Sequence, residues 1–152
     1  MTFIVHFDQD SMNPRQEFDH LGTLAILGYG GDEAPDPHNP PHDAIMLPVY
    51  RYQHSGVAYS TTPFHCPWDS GQTGYIYVYR STVRKEFNVK RISPKLHDRV
   101  LEILRSEVEE FSSWSNGEVY GFTNNETDDS CWGFYGLESL IAEIGDNYEF
   151  AQ

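Results

Sequence analysis

The spacing of apolar side chains divides this 152-residue chain into several strand patterns followed by one long helical pattern. Alternating or continuous runs of apolar and β-branched residues predict strands over residues 2–7, 22–29, 44–52, 56–61, 75–79 and 118–123. From Leu96 to Phe111, apolar residues recur every three or four positions, which predicts a helix with one apolar face. Ser93 and Pro94 just before it are typical of a helix start. Shorter helices are predicted over residues 81–87, with Ser81 as the N-cap, and over residues 137–144.

This order of elements predicts an α+β fold in which helices pack on one face of a sheet. We expect a single domain over residues 1–152, with a mostly antiparallel or mixed sheet of five or six strands, one long amphipathic helix and one or two short helices. Residues 30–43 hold four prolines and two glycines without hydrophobic periodicity. They are therefore predicted to form a long exposed loop.

Negative charge is concentrated in the last third of the chain. The net charge is −13, and residues 101–152 hold twelve acids against one base, Arg105, which leaves −11 in that segment. A field of this sign repels nucleic acid and attracts basic protein surfaces. We expect Glu102, Glu109 and Glu110 to form a phosphate-like row on the long helix. The full set of predicted partner-binding residues is Glu102, Glu107, Glu109, Glu110, Glu126, Asp128 and Asp129.

Positive charge is concentrated just before that segment. Residues 80–99 hold seven bases against two acids, a local charge of +5. One interpretation is a solvated face that offsets the acidic segment. The other is a nucleic-acid footprint, which would make the protein a small nucleic-acid accessory factor that uses Arg80–Arg99. The overall isoelectric point of about 4.7 argues against direct DNA binding.

Two groups of residues could carry other chemistry. His54, Cys66 and Asp69 could form the centre of a cysteine- or metal-dependent enzyme. His54, His65, Cys66 and Cys131 could bind zinc, although their spacing matches no zinc motif. His6, Asp8 and Asp10 alternate and would share one strand face, where they could bind Mg²⁺ or Ca²⁺. These are the candidate metal ligands: His6, Asp8, Asp10, His54, His65 and Cys66. We expect no obligatory cofactor, and a bound divalent metal (Zn, Mg or Ca) stays an alternative.

Cysteine content and hydropathy suggest a compartment. Cys66 and Cys131 are too few for a disulfide framework, and we expect both to be reduced, buried and structural. No apolar run approaches the ~20 residues of a membrane span. The N-terminal residues lack the pattern of a signal peptide. The chain is therefore expected to be cytoplasmic.

Several motifs resemble a family encoded by bacteriophages and plasmids. The resemblance is carried by the block from Leu47 to Tyr79, which contains HSG and CPWDSGQTG, and by SCWGFYG at residues 130–136. NPRQEFDHLGT at residues 13–23 and KRISPKL at residues 90–96 also fit it. The resemblance transfers no catalytic residue. It implies a mobile-element protein in the host bacterial cell, a setting in which small acidic proteins often inhibit CRISPR effectors or restriction enzymes, here by mimicking the charge of DNA.

Overall fold

The structure, a computed structural model, describes residues 2–32 and 36–152. In these residues the chain forms one antiparallel sheet, one mixed sheet and four helices. In chain order the elements are β1 (Phe3–Phe7), α1 (Pro14–Glu17), β2 (Thr23–Ile26), β3 (Ala44–Gln53), β4 (Val57–Ser60), β5 (Ser70–Tyr79), α2 (Arg80–Glu86), α3 (Pro94–Ser115), β6 (Val119–Thr123), β7 (Ser130–Tyr135), α4 (Leu137–Ile144) and β8 (Tyr148–Phe150).

The predicted α+β class and the long helix are confirmed, but the strands are divided differently. One four-stranded sheet has the order β2-β5-β3-β4, and the other has the order β7-β6-β1-β8. In the second sheet β8 is parallel to β1, whereas β6 is antiparallel to both β1 and β7. The strands are thus divided between two sheets, because β1 and β6 pair with each other and with β7 and β8 instead of with β2, β3, β4 or β5.

Helix α3 covers the first sheet and builds the larger core. Its buried side chains Val100, Leu104, Val108 and Phe111 pack with residues of β2, β3, β4 and β5, among them Ile76. These four lie three or four positions apart, which places them on one helical face. The Ser93 hydroxyl accepts a hydrogen bond from the backbone N–H of Leu96 at 3.1 Å, as an N-cap does.

Helix α4 covers the second sheet and builds a smaller core. Leu140 is fully buried against Val5, Tyr120 and Phe122. Apolar burial contributes roughly 25 cal/mol per Å², so each of these side chains adds on the order of 1.5–3 kcal/mol. Because α3 leads directly into β6, the C-terminal end of α3 lies close to this second sheet, where α3 also contacts the edge strand β7.

Two smaller predictions are corrected. Helix α2 begins at Arg80, directly after β5, and its N-cap is Tyr79 without a side-chain hydrogen bond, so Ser81 is not the cap. In the predicted loop 30–43, residues 33–35 lie outside the described part of the structure. Residues 36–43 are exposed or half-buried, but Asp32 is held against the fold.

A buried ion cluster ties that loop to α1 and α3. The Arg15 guanidinium donates to Asp32 through Nε at 3.0 Å and Nη2 at 2.6 Å, and to Glu107 through Nη1 at 2.9 Å. Its Nη2 also donates to the Gly22 carbonyl at 2.7 Å. Burial opposes the charge on Arg15, but hydrogen bonds and attraction from both carboxylates outweigh it and raise the pKa of the guanidinium. The cluster therefore stays charged and joins three segments of the chain.

Candidate functional site

An acidic groove lies where the C-terminal half of α3 meets the edge of the second sheet. It has a volume of about 960 Å³. Helix α3, the segment after it, strand β7 and the first turn of α4 form its walls, and Phe18 closes one side. The acidic groove is lined by Phe18, Ser106, Glu109, Glu110, Ser113, Glu118 and residues 133–139.

Four carboxylates line the acidic groove: Glu109, Glu110, Glu118 and Glu138. Of the described residues that line it, none is Lys, Arg or His. Glu110 is held by the His20 ring at 2.9 Å, and the Glu118 carboxylate is hydrogen-bonded to the Asn116 amide. Glu109 and Glu138 are exposed, and no hydrogen-bond or ion-pair partner for either is found in the described part of the chain. The acidic groove is thus suited to a cation that the chain itself does not supply.

Aromatic side chains form one wall of the acidic groove. The rings of Phe18 and Tyr135 lie 5.9 Å apart in an edge-to-face arrangement. The Tyr135 hydroxyl donates to the Met12 carbonyl at 2.6 Å, which fixes the ring. Aromatic faces attract Lys and Arg side chains as well as apolar ones. The wall therefore complements the carboxylates rather than competing with them.

Tyr135 also reports the local electric field. Burial is the largest cause that raises the pKa of its phenol, and the negative charges of Glu110, Asp8 and Glu17 raise that pKa further. Acids from α1, from α3 and from the segment after β1 therefore act on the same point. A cation beside the Tyr135 hydroxyl would be attracted by the carboxylates of Glu110, Asp8 and Glu17.

The structure separates the acids that the sequence grouped together. Glu107 is 7% exposed, and its carboxylate binds Arg15 and the backbone N–H groups of Leu21 and Gly22. Its predicted role at a partner-binding surface is therefore wrong. Glu107 lies three residues after Leu104 and four before Phe111, on the buried face of α3. This spacing could have predicted that Glu107 is buried, whereas the count of acids in the segment could not.

The expected phosphate-like row does not form on α3. Glu102 and Glu109 are seven residues apart in one continuous helix, about 10.5 Å at 1.5 Å per residue, and Glu110 faces His20 instead. Glu126, Asp128 and Asp129 belong to the β6–β7 turn. That turn is at the end of the hairpin remote from Glu118, about 15 Å away along β6. Of the seven predicted residues, Glu109 and Glu110 line the acidic groove.

His54, Cys66 and Asp69 are brought together, but in an order that does not suit thiol catalysis. The Asp69 carboxylate lies between the other two, 3.7 Å from the Cys66 sulfur and 3.4 Å from Nδ1 of His54. A nucleophilic thiolate is stabilised by an imidazolium or another cation beside the sulfur, whereas here the nearest group is a carboxylate, which disfavours the thiolate. His65 is exposed and does not join this group. Cys66 is half-buried and Cys131 is exposed, so the expectation that both are buried is wrong.

The second metal candidate is also dispersed. Strand β1 ends at Phe7, so the alternation does not extend from His6 to Asp8 and Asp10. His6 is hydrogen-bonded to Thr123 at 3.0 Å, and the Asp8 carboxylate accepts the backbone N–H groups of Asp10 and Gly133. Across residues 2–32 and 36–152, no three His, Cys, Asp or Glu side chains are grouped as metal ligands.

The basic segment, residues 80–99, is mostly exposed, and most of its positive charges have no ion-pair partner in the described residues. It occupies α2, the following turn and the start of α3. Within the described ranges, Arg80 alone of its seven bases has an ion-pair partner, Asp43 at 3.8 Å. Arg99 lies over the Phe87 ring at 5.9 Å. The basic segment does not pair with the acidic groove, so the molecule carries two separate regions of opposite sign.

Sequence reasoning missed half of the acidic groove. Glu118 follows α3, Glu138 lies in the first turn of α4, and Phe18 comes from the N-terminal part of the chain. Their approach depends on the β6–β7 hairpin, which folds Tyr135 back beside Val119. A pairing of Val119 with Tyr135 leaves no local periodic signal in the sequence.

Comparisons of the chain with protein-family models, with curated proteins and with solved structures found no match. In the described residues no helix is both long and apolar enough to cross a membrane.

Proposed function

We propose that the protein is an inhibitor that binds a cation-rich surface of a host nucleic-acid-binding defence protein, and that the acidic groove is its contact site. The observation that carries the proposal is the group of four carboxylates in the acidic groove with no base among the described residues that line it. The protein would act by occupying a surface, not by catalysis. It would work in the cytoplasm of the host bacterial cell.

Electrostatic attraction supports this proposal quantitatively. A unit-charge pair 4 Å apart attracts by about 4 kcal/mol at an effective dielectric constant of about 20, before the cost of desolvation. The acidic groove offers a Lys or Arg side chain four carboxylates in its lining together with the ring of Phe18. The fold thus supplies charge attraction, although it does not reproduce the regular spacing of phosphates.

The resemblance to phage and plasmid proteins supplies the class of partner. Defence proteins such as CRISPR effectors and restriction enzymes hold nucleic acid in positively charged channels. Such a channel is a complementary target for an acidic groove. The association should be fast, and it should weaken with salt because the Debye length falls from about 10 Å at 0.1 M to about 3 Å at 1 M.

The test is a pair of variants with equal changes in net charge. The first, Glu109→Lys with Glu138→Lys, reverses two exposed acids of the acidic groove. The control, Glu102→Lys with Glu126→Lys, reverses two exposed acids outside it. Each variant is used in a pull-down from host lysate with mass-spectrometric identification of the partner. The identified partner is then titrated in an inhibition assay.

We expect the groove variant to lose binding by at least about tenfold. The control changes the net charge equally but leaves the lining of the acidic groove intact, so it should keep most of its binding. Inhibition should be complete near one equivalent and should reverse when the protein is removed. Equal losses in the two variants would show a nonspecific charge effect and contradict the site. Inhibition far below one equivalent would contradict binding as the mechanism.

A nucleic-acid accessory role is the second candidate, because the basic segment is exposed and mostly unpaired. It predicts binding of an oligonucleotide at physiological salt, lost on Lys95→Gln with Arg99→Gln. If the free protein binds nucleic acid in this way and the groove variant still does so, the accessory role replaces the inhibitor.

A further inference from the structure

A second pocket lies on the first sheet and shares no lining residue with the acidic groove. It has a volume of about 550 Å³ and is lined by Leu27, Gly28, Arg51, Gln53 and residues 68–73. We call it the Trp68 pocket. A smaller pocket of about 240 Å³, lined in part by His38, shares Leu27, Gln72 and Thr73 with it.

An irregularity in the strand pairing opens the Trp68 pocket. In the β3–β5 register Val49 pairs with Gly74, but Tyr50 pairs with Gln72, so Thr73 is an additional residue. Such a bulge twists a strand and redirects its side chains. Beyond the bulge Arg51 pairs with Gly71, where an added Cβ would meet nothing within 4 Å. The Arg51 side chain therefore has open space beside it.

Arg51 has no partner in the part of the chain that the structure describes. Its side chain makes no ion pair or hydrogen bond there, whereas the Arg15 side chain makes four hydrogen bonds and Arg80 pairs with Asp43. Asp69 lines the same pocket, but it is directed to His54 and Cys66. A half-buried guanidinium with five donors and no acceptor is complementary to a planar anion.

The Trp68 pocket is lined by the most exposed large apolar side chain among the described residues, Trp68, which is 90% exposed. Leu27, which lines the same pocket, is 46% exposed. Trp and Arg are among the residue types that most often dominate the energy of protein interfaces. Here Trp68 and Arg51 line one concavity.

We propose that the Trp68 pocket docks a segment of a protein partner that presents a carboxylate beside an apolar side chain. The carboxylate binds the Arg51 guanidinium through two parallel hydrogen bonds, and the apolar side chain packs between Leu27 and Trp68. The proposal does not depend on the acidic groove, because the two sites have no residue in common.

The charge of the surroundings favours a carboxylate over a phosphate. Asp69 lies in the same wall as Arg51, so a dianion would be repelled where a single negative charge is tolerated. The chain as a whole carries −13, which opposes a nucleic-acid strand despite the exposed aromatic rings. A protein segment that presents one carboxylate meets a smaller repulsion from both.

The test uses the full-length ¹⁵N-labelled protein and three blocked tetrapeptides, acetyl-Gly-X-Z-Gly-amide, with Leu-Asp, Leu-Asn or Gly-Asp in the middle. The Arg51 Nε–H and Trp68 indole N–H signals report binding, and the indoles of Trp114 and Trp132 are internal controls. Arg51→Gln tests the guanidinium. Arg84→Gln, the same charge change outside the pocket, is its matched control, and thermal unfolding checks that both variants are folded.

We expect saturable shifts of Arg51 and Trp68 with the Leu-Asp peptide. The other two peptides and Arg51→Gln should bind at least about tenfold more weakly, which corresponds to about 1.4 kcal/mol. No saturable shift up to about 10 mM would overturn the proposal. Equal binding of the Leu-Asn or Gly-Asp peptide, equal losses in the two variants, or tighter binding of inorganic phosphate than of the Leu-Asp peptide would also overturn it.

Discussion

Truncating Glu107 should cost the protein a large part of its stability, although the residue belongs to the acidic segment. The carboxylate accepts hydrogen bonds from Arg15 Nη1 at 2.9 Å, from the Leu21 N–H at 3.1 Å and from the Gly22 N–H at 3.1 Å. Glu107→Ala removes the acceptor of all three hydrogen bonds. It leaves two backbone donors and one arm of a buried guanidinium unsatisfied.

The size of the effect follows from these contacts. Removing one partner of a buried ion pair costs about 3–5 kcal/mol, because the remaining charge stays buried. The Arg15 side chain is 1% exposed, so the cost of leaving its charge without Glu107 should be near the upper end of that range. Asp32 still pairs with Arg15 in the variant, and this limits the loss. We therefore expect Glu107→Ala to lower the free energy of unfolding by about 4 kcal/mol out of a typical total of about 5–15 kcal/mol.

Urea denaturation followed by circular dichroism measures this change. The midpoint should fall at an unchanged slope, since the surface exposed on unfolding is the same. Glu102→Ala is the matched control, because Glu102 lies exposed on the same helix, and its effect should be within about 0.5 kcal/mol. Glu107→Gln should lie between them. A Glu107→Ala protein within about 1 kcal/mol of the parent would refute the structural role of the cluster.

Three further predictions concern stability alone. Burial chiefly raises the pKa values of Tyr77, Tyr120 and Tyr135 above the ordinary value near 10, so stability should be complete below about pH 10 and be lost as the pH rises through the folded-state values. Thermal unfolding against pH checks this, and Tyr120→Phe should weaken the alkaline decline; an unchanged decline would contradict it. Gly74→Ala should destabilise by about 3 kcal/mol or more, because its Cβ would overlap the Ala25 carbonyl, whereas Gly71→Ala in the same strand should be nearly neutral; similar urea midpoints would contradict this. Ser93→Ala should lower the free energy of unfolding by about 1 kcal/mol through loss of the α3 cap, and Ser93→Asp should restore that stability. Urea midpoints of both variants equal to that of the parent protein would contradict the role of the cap.

The predictable parts of the fold are those with a local signal. Helix α3 was predictable because its apolar spacing and its cap at Ser93 agree. The strands β3 and β5 were predictable because β-branched and aromatic residues cluster in them. Strand β7 was not predicted because its residues are exposed or half-buried and do not alternate, and β8 has three residues. Those two strands exist because β6 and β1 offer edges for pairing, which is a long-range property.

The candidate site was predictable to a smaller degree. The charge of the last third indicated an acidic surface, and Glu109 and Glu110 do line the acidic groove. A charge count cannot say which acids face each other, because that depends on where β6 and β7 pair. It also could not reveal Arg15, whose partners Asp32 and Glu107 are 17 and 92 residues away in the chain.

Burial decides which acids serve stability and which are free to serve binding. A buried carboxylate must be paired, since its desolvation costs several kcal/mol, and Glu107 meets that condition with a guanidinium and two backbone donors. An exposed carboxylate such as Glu109 needs no partner to stay charged, yet it repels its neighbours in the acidic groove. That repulsion destabilises the isolated fold. A bound cation would remove the repulsion, so the same charges that destabilise the free protein would stabilise its complex. For this reason we expect the partner to bind at the acidic groove rather than along the acidic segment as a whole.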